Sequence, residues 1–132
     1  MSLGNAFPVR SSVPDIVKVQ GVWTGGGAGT DCSHVATDWN RGIVSIVYTA
    51  ATGIYTITFR DVGKAIVGWN ISTGQQTGVN PLAICLQNGS FSTATKSVII
   101  EVSASDSGTL TDLLTTDKLY VNFEFAKNGP DA

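Results

Sequence analysis

Apolar and polar residues along this chain alternate with the period of short β-strands, and most clearly between Gly42 and Asp61. From Gly53 onward, Tyr55, Ile57 and Phe59 fall on one face, while Thr56, Thr58 and Arg60 fall on the other. The preceding run places Val44, Ile46 and Tyr48 together, opposite Ser45, Val47 and Thr49. Both runs are rich in β-branched and aromatic residues, which a pleated surface favours. Thr49 to Gly53 supplies the connection, so a central β-hairpin is expected.

The same reading gives a strand over Ile16 to Trp23, with Val17, Val19, Gly21 and Trp23 on its apolar face. A glycine-rich stretch, Thr24 to Thr30, and an irregular segment up to Arg41 follow it. Beyond the hairpin, Lys64 to Ile71 is expected to be a strand with Ala65, Val67 and Trp69 on one face. Leu82, Ile84 and Leu86 start the next, entered through Pro81 and closed by Asn88-Gly89. Ser97 to Ser103 turns Val98, Ile100 and Val102 one way. Leu110 to Leu114 reads as a short helical or irregular turn, and Lys118 to Lys127 as the last strand, with Leu119, Val121, Phe123 and Phe125 inward.

About seven short strands between turn signals, with no amphipathic helix, predict an all-β, antiparallel β-sandwich of jelly-roll or Greek-key type, with a barrel as the alternative. The expected core comprises Val17, Val19, Val44, Ile46, Tyr55, Ile57, Phe59, Val98, Ile100, Val102, Val121 and Phe123. At 132 residues the chain holds one core, so a single domain over 16–127 is expected. Pro8 and Pro14 make residues 1–15 an extended N-terminal arm, and 128–132 a C-terminal tail.

Charge changes this picture most. Charged residues make up 14% of the chain, against roughly 25% in ordinary soluble domains. Fifteen glycines, 12 serines and 15 threonines take their place, so the surface is expected to be hydroxyl-rich and suited to packing against another protein. A net charge of −2 without a basic cluster argues against nucleic acid as a partner. No apolar run is long enough for a membrane helix and no secretory leader is recognisable, so a reducing compartment is expected. The sequons Asn70-Ile71-Ser72 and Asn88-Gly89-Ser90 carry little weight without such a leader.

Candidate chemistry is sparse. Gly25 to Gly29 lacks both the phosphate-loop pattern and a following helix. Asp31, Cys32, Ser33, His34 and Asp38 are too few and too local for a zinc site, and no nucleophile elbow surrounds the sole histidine. No catalytic, cofactor-binding or metal-binding residue is therefore assigned. The aspartates lie in loops or at strand ends, where turn chemistry accounts for them. Cys32 and Cys85 are expected to be free and mostly buried, a disulfide being the alternative. Trp23 and Trp69 share faces with apolar residues and are expected in the core. Trp39, in the irregular segment, is the candidate for an exposed contact. The three tryptophans together are alternatively a sugar-stacking platform.

Four runs carry a resemblance: Val19 to Trp23, Arg41 to Ile46, Thr52 to Phe59 and Asp117 to Phe123. The chain resembles the small all-β virion proteins of tailed bacteriophages, capsid decoration (cement) proteins among them. That resemblance implies a non-enzymatic protein, made in the host cytoplasm, that binds the major capsid protein on the capsid exterior as a homotrimer and stabilises the lattice. It implies no cofactor. Phe7, Pro8 and Val9 of the arm, with Trp39, are the expected interface residues. The alternative is a carbohydrate- or receptor-binding sandwich of a phage tail or fibre.

Overall fold

The alternating segments pair, in a computed structural model that describes residues 16–49, 51–60, 62–74 and 81–127, into eight antiparallel strands. They are β1 (Ile16–Thr24), β2 (Asn40–Arg41), β3 (Ile43–Tyr48), β4 (Ile54–Phe59), β5 (Ala65–Gly74), β6 (Leu82–Leu86), β7 (Ser97–Ala104) and β8 (Lys118–Ala126). One sheet has the order β2-β1-β8-β5 and the other β3-β4-β7-β6. The two pack face to face as a sandwich. The expected hairpin is β3–β4, and Leu110 to Leu114 is irregular, bridged to Ser103 at Leu110. The arm, with Phe7, Pro8 and Val9, and the tail 128–132 lie outside the described residues.

The inner faces interlock through aromatic rings. Phe59 of β4 meets Phe123 and Phe125 of β8 edge to face, each at 5.1 Å between centroids. Tyr55, Ile57, Ile100, Val102, Leu119 and Phe123 are fully buried around them. Ten of the twelve expected core residues are buried, and Val17 packs against the core from its margin. Burial of this apolar surface is the main stabilising term.

Val44 is the exception, being 51% exposed while its neighbour Ile43 is 1% exposed. The register shifts between Ile43 and Ser45, so Val44 is the extra residue of a β-bulge and the phase of β3 turns over there. The same event occurs in β5. Its register shifts between Ile66 and Gly68, which leaves Val67 54% exposed and puts Ile66, not Ala65, toward the core. Both bulged strands are sheet edges, where the kink discourages pairing with a foreign strand.

The two long seams between the sheets differ. At the β1/β3 seam, Ser33 exchanges two 2.8 Å backbone hydrogen bonds with Thr24, while the Cys32 N–H donates to the Ile46 carbonyl at 3.0 Å, so one segment ties both sheets. The β5/β6 seam has no such backbone tie among the described residues. Trp69 there faces inward and stacks on Phe123 at 6.4 Å, yet its place on an edge strand leaves it 40% exposed, so it is only half a core residue.

The bulge and the aromatic joint are testable together by denaturant unfolding. Ile43→Ala is expected to cost about 2–5 kcal/mol and Phe123→Ala about 3–5 kcal/mol, while Val44→Ser stays within about 0.5 kcal/mol of the parent. Equal costs at positions 43 and 44 would refute the bulge.

Candidate functional site

The loops at one end of the sandwich contain most of the residues that sequence reading singled out, and their chemistry there is structural. Asp112 accepts hydrogen bonds from the Gly53 N–H through Oδ1 at 2.7 Å and the Gly29 N–H through Oδ2 at 3.0 Å, so one carboxylate joins three loops. Asp31 accepts from the Tyr48 N–H at 2.8 Å, and buried Asp117 from the Leu114 N–H at 2.8 Å. The aspartates thus serve the backbone, as turn chemistry anticipates. The glycine run has a packing reason: a Cβ on Gly25 would stand 2.2 Å from the Leu114 carbonyl oxygen, and one on Gly26 2.1 Å from that of Asp31. Among the described residues no three His, Cys, Asp or Glu side chains cluster as metal ligands.

Both cysteines are free. Cys32 is buried, and burial, reinforced by Asp31, pushes its thiol up to about 12. Cys85 is exposed on β6, contrary to the expectation that both are interior, because its side chain alternates outward between Ile84 and Leu86. Tyr55 is likewise pushed up to about 12, first by burial, although its hydroxyl oxygen accepts the Leu113 N–H at 2.8 Å.

The outer faces of the two sheets are the remaining candidates, and they differ. On the β3-β4-β7-β6 sheet, register brings Ser45, Thr58 and Ser97 into one row, Val47, Thr56 and Ile99 into the next, and Ile54, Glu101 and Cys85 into a third. Glu101 is the one charged strand residue on that face, counting the described residues. Thr49 and Thr56 share a 2.7 Å hydroxyl hydrogen bond there. The surface is broad, branched and neutral.

On the β2-β1-β8-β5 sheet, register aligns Arg41, Gln20, Asn122 and Asn70 across four strands. The adjacent row holds Val22, Tyr120 and Ser72. Trp39 extends that row, because its carbonyl accepts the Val22 N–H at 2.8 Å. Between the two rows lies a shallow depression of about 280 Å³, lined by Gln20, Val22, Trp39, Asn70, Ser72, Tyr120 and Asn122 among others. The Gln20 side-chain amide donates to Asn122 Oδ1 at 3.4 Å. Gly74 leaves room for the Tyr120 ring, whose Cε2 lies only 3.1 Å from where a Cβ would be.

Trp39 is 63% exposed, as expected of an exposed contact, and its flanks are anchored. Asp38 pairs with Lys118 at 3.0 Å, and its carbonyl accepts from His34 Nε2 at 2.9 Å. Asn40 accepts from Trp23 Nε1 at 3.3 Å and donates to the Ile43 carbonyl at 2.9 Å. Trp23 is in the core as expected, 6% exposed. The three tryptophans form no shared platform: Trp39 joins Tyr120 at the depression, Trp23 lies inside, and Trp69 lies at the β5/β6 seam. Gln20, Tyr120 and Asn122 gave no signal in sequence beyond their outward phase, and Asn70 and Ser72 stood out only as the ends of a sequon. Compared with known protein families, characterised proteins and solved structures, the chain gives no match.

Alkaline stability checks the two buried acids. Their ordinary values are 9.0 for Cys32 and 10.0 for Tyr55, and the fold raises both to about 12, so between these limits the unfolded chain gives up protons that the native state keeps. Stability is therefore full below the lower limit and falls as pH rises toward the upper one. Calorimetry is expected to show a melting temperature that declines from about pH 9 upward, less steeply in Cys32→Ala. In the same preparation at neutral pH, a maleimide is expected to label Cys85 promptly and Cys32 only after denaturation.

Proposed function

We propose that this protein is a structural component of a bacteriophage virion, a capsid decoration protein without enzymatic activity, that seats on the capsid exterior through the outer face of the β3-β4-β7-β6 sheet. The observation that carries the reading is the neutrality of that face. Its three rows of Ser, Thr, Val, Ile and a single Cys contain one carboxylate, Glu101, among the described residues. Interfaces repeated many times over a lattice are favoured by surfaces that need no charge desolvated, since an ion buried without a partner costs several kcal/mol. Interface centres are depleted in charge for the same reason. The low overall charge and the resemblance of the hairpin and last strand to phage virion proteins support the same reading.

In this proposal the partner is the major capsid protein and the active form a homotrimer. The arm of residues 1–15 adds contact area across a neighbour, with Phe7 and Val9 as apolar anchors and Pro8 and Pro14 limiting the entropy lost on docking.

Thr56→Arg and Ile99→Lys place a charge at the centre of the proposed seat without entering the core. Each is expected to leave the melting temperature within a few degrees of the parent and to lower occupancy on purified capsids at least tenfold, counted by electron microscopy. Full occupancy by both variants would remove this face from the interface. Light scattering of the full chain is expected to give three times the 13.8 kDa protomer mass. Deleting residues 1–12 is expected to weaken trimerisation or capsid binding while leaving the melting temperature of the domain nearly unchanged.

A further inference from the structure

The opposite outer face carries chemistry that a lattice contact does not use. Its depression combines two exposed aromatic rings with three carboxamides and a hydroxyl, and among the described residues no charged side chain lines it. Trp39 is 63% and Tyr120 46% exposed, so both rings are open to a ligand. The nearest charges stand in the flanking rows. Lys118, two residues along β8 from Tyr120, is paired with Asp38, Lys18 and Glu124 face each other in the row beyond Gln20 and Asn122, and Arg41 ends the amide row at the sheet edge.

We propose that this depression is a binding site for a neutral saccharide. A sugar ring presents apolar C–H groups on its faces and hydroxyls at its rim. Its faces suit an aromatic ring, and its hydroxyls, each both donor and acceptor, suit carboxamides, which offer both functions side by side. Gln20, Asn122 and Asn70 supply three such groups at the strand spacing of roughly 4.8 Å, close to the width of one pyranose ring. The 3.4 Å contact between Gln20 and Asn122 is a weak hydrogen bond, so both amides are readily redirected to a ligand. The site is also preorganised. The backbone on either side of Trp39 is held by the hydrogen bonds and ion pair of Asp38 and Asn40, and Tyr120 lies in the space left by Gly74. Organic anions fit less well, because no cation lines the depression among the described residues.

This inference does not depend on what the β3-β4-β7-β6 face binds, since the two faces lie on opposite sides of the sandwich and are tested separately. The experiment is a titration of the isotope-labelled full chain with neutral gluco-, manno-, xylo- and galacto-oligosaccharides, followed by NMR. At least one series is expected to shift the Trp39 indole and the side-chain amides of Gln20, Asn70 and Asn122 saturably, with a Kd of about 0.1–1 mM that added salt leaves unchanged. Trp39→Ala, at a position too exposed to support the fold, is expected to weaken that binding about tenfold. Asn122→Ala provides a second test from the amide side. The proposal is overturned if no neutral series moves these signals up to about 5 mM, if both variants bind like the parent, or if only anionic sugars bind and salt abolishes it.

Discussion

The sandwich is joined at the contact of Phe59 with Phe123 and Phe125. These rings come from different sheets and, with Tyr55, are the largest fully buried side chains. Phe123 and Phe125 also stack on each other at 5.9 Å, so β8 presents a continuous aromatic ridge to β4. Edge-to-face contact of this kind contributes about 0.5–1.5 kcal/mol per pair beyond area burial. Because β8 lies between β1 and β5, and β4 between β3 and β7, fixing these two central strands positions every other strand through its ladder.

That arrangement frees both outer faces from any duty to the core, and the chain has used them differently. One face is branched, hydroxylated and almost without charge. The other is concave, amide-lined and flanked by aromatic rings. Between them the loops at one end are held by carboxylates that accept backbone N–H groups, which explains why a protein so poor in charged residues places aspartates there.

How much of this was legible in the sequence depended on phase. In β4, β7 and β8 the alternation runs unbroken, and every inward assignment there agrees with burial. In β3 and β5 it fails at Val44 and Val67. Ile43-Val44 and Ile66-Val67 are each two adjacent β-branched residues, either of which satisfies a period of two, and only the partner strand decides which is the extra one. Of the outer depression, the sequence singled out Trp39, conspicuous as a large aromatic in an irregular segment, and Asn70 and Ser72 only as the ends of a sequon. Gln20 and Asn122 stand 102 positions apart, so their proximity comes from strand pairing that no local window contains. The contrast in the two cysteines had the same origin, since nothing near Cys85 distinguishes an outward strand position from an inward one.

The place of β8 bears on how the chain is made. The β3-β4-β7-β6 sheet is complete once Ala104 has been synthesised, but β1 and β5 have nothing between them until Lys118–Ala126 arrives. At about 5–20 residues per second, β1 waits roughly 5–20 s for the strand that pairs with all nine of its residues. During that interval its apolar face, Val17, Val19 and Trp23, has no sheet to join. Until then the completed β3-β4-β7-β6 sheet is the surface available to cover that face, and the sandwich can close only after Lys118–Ala126 has been made.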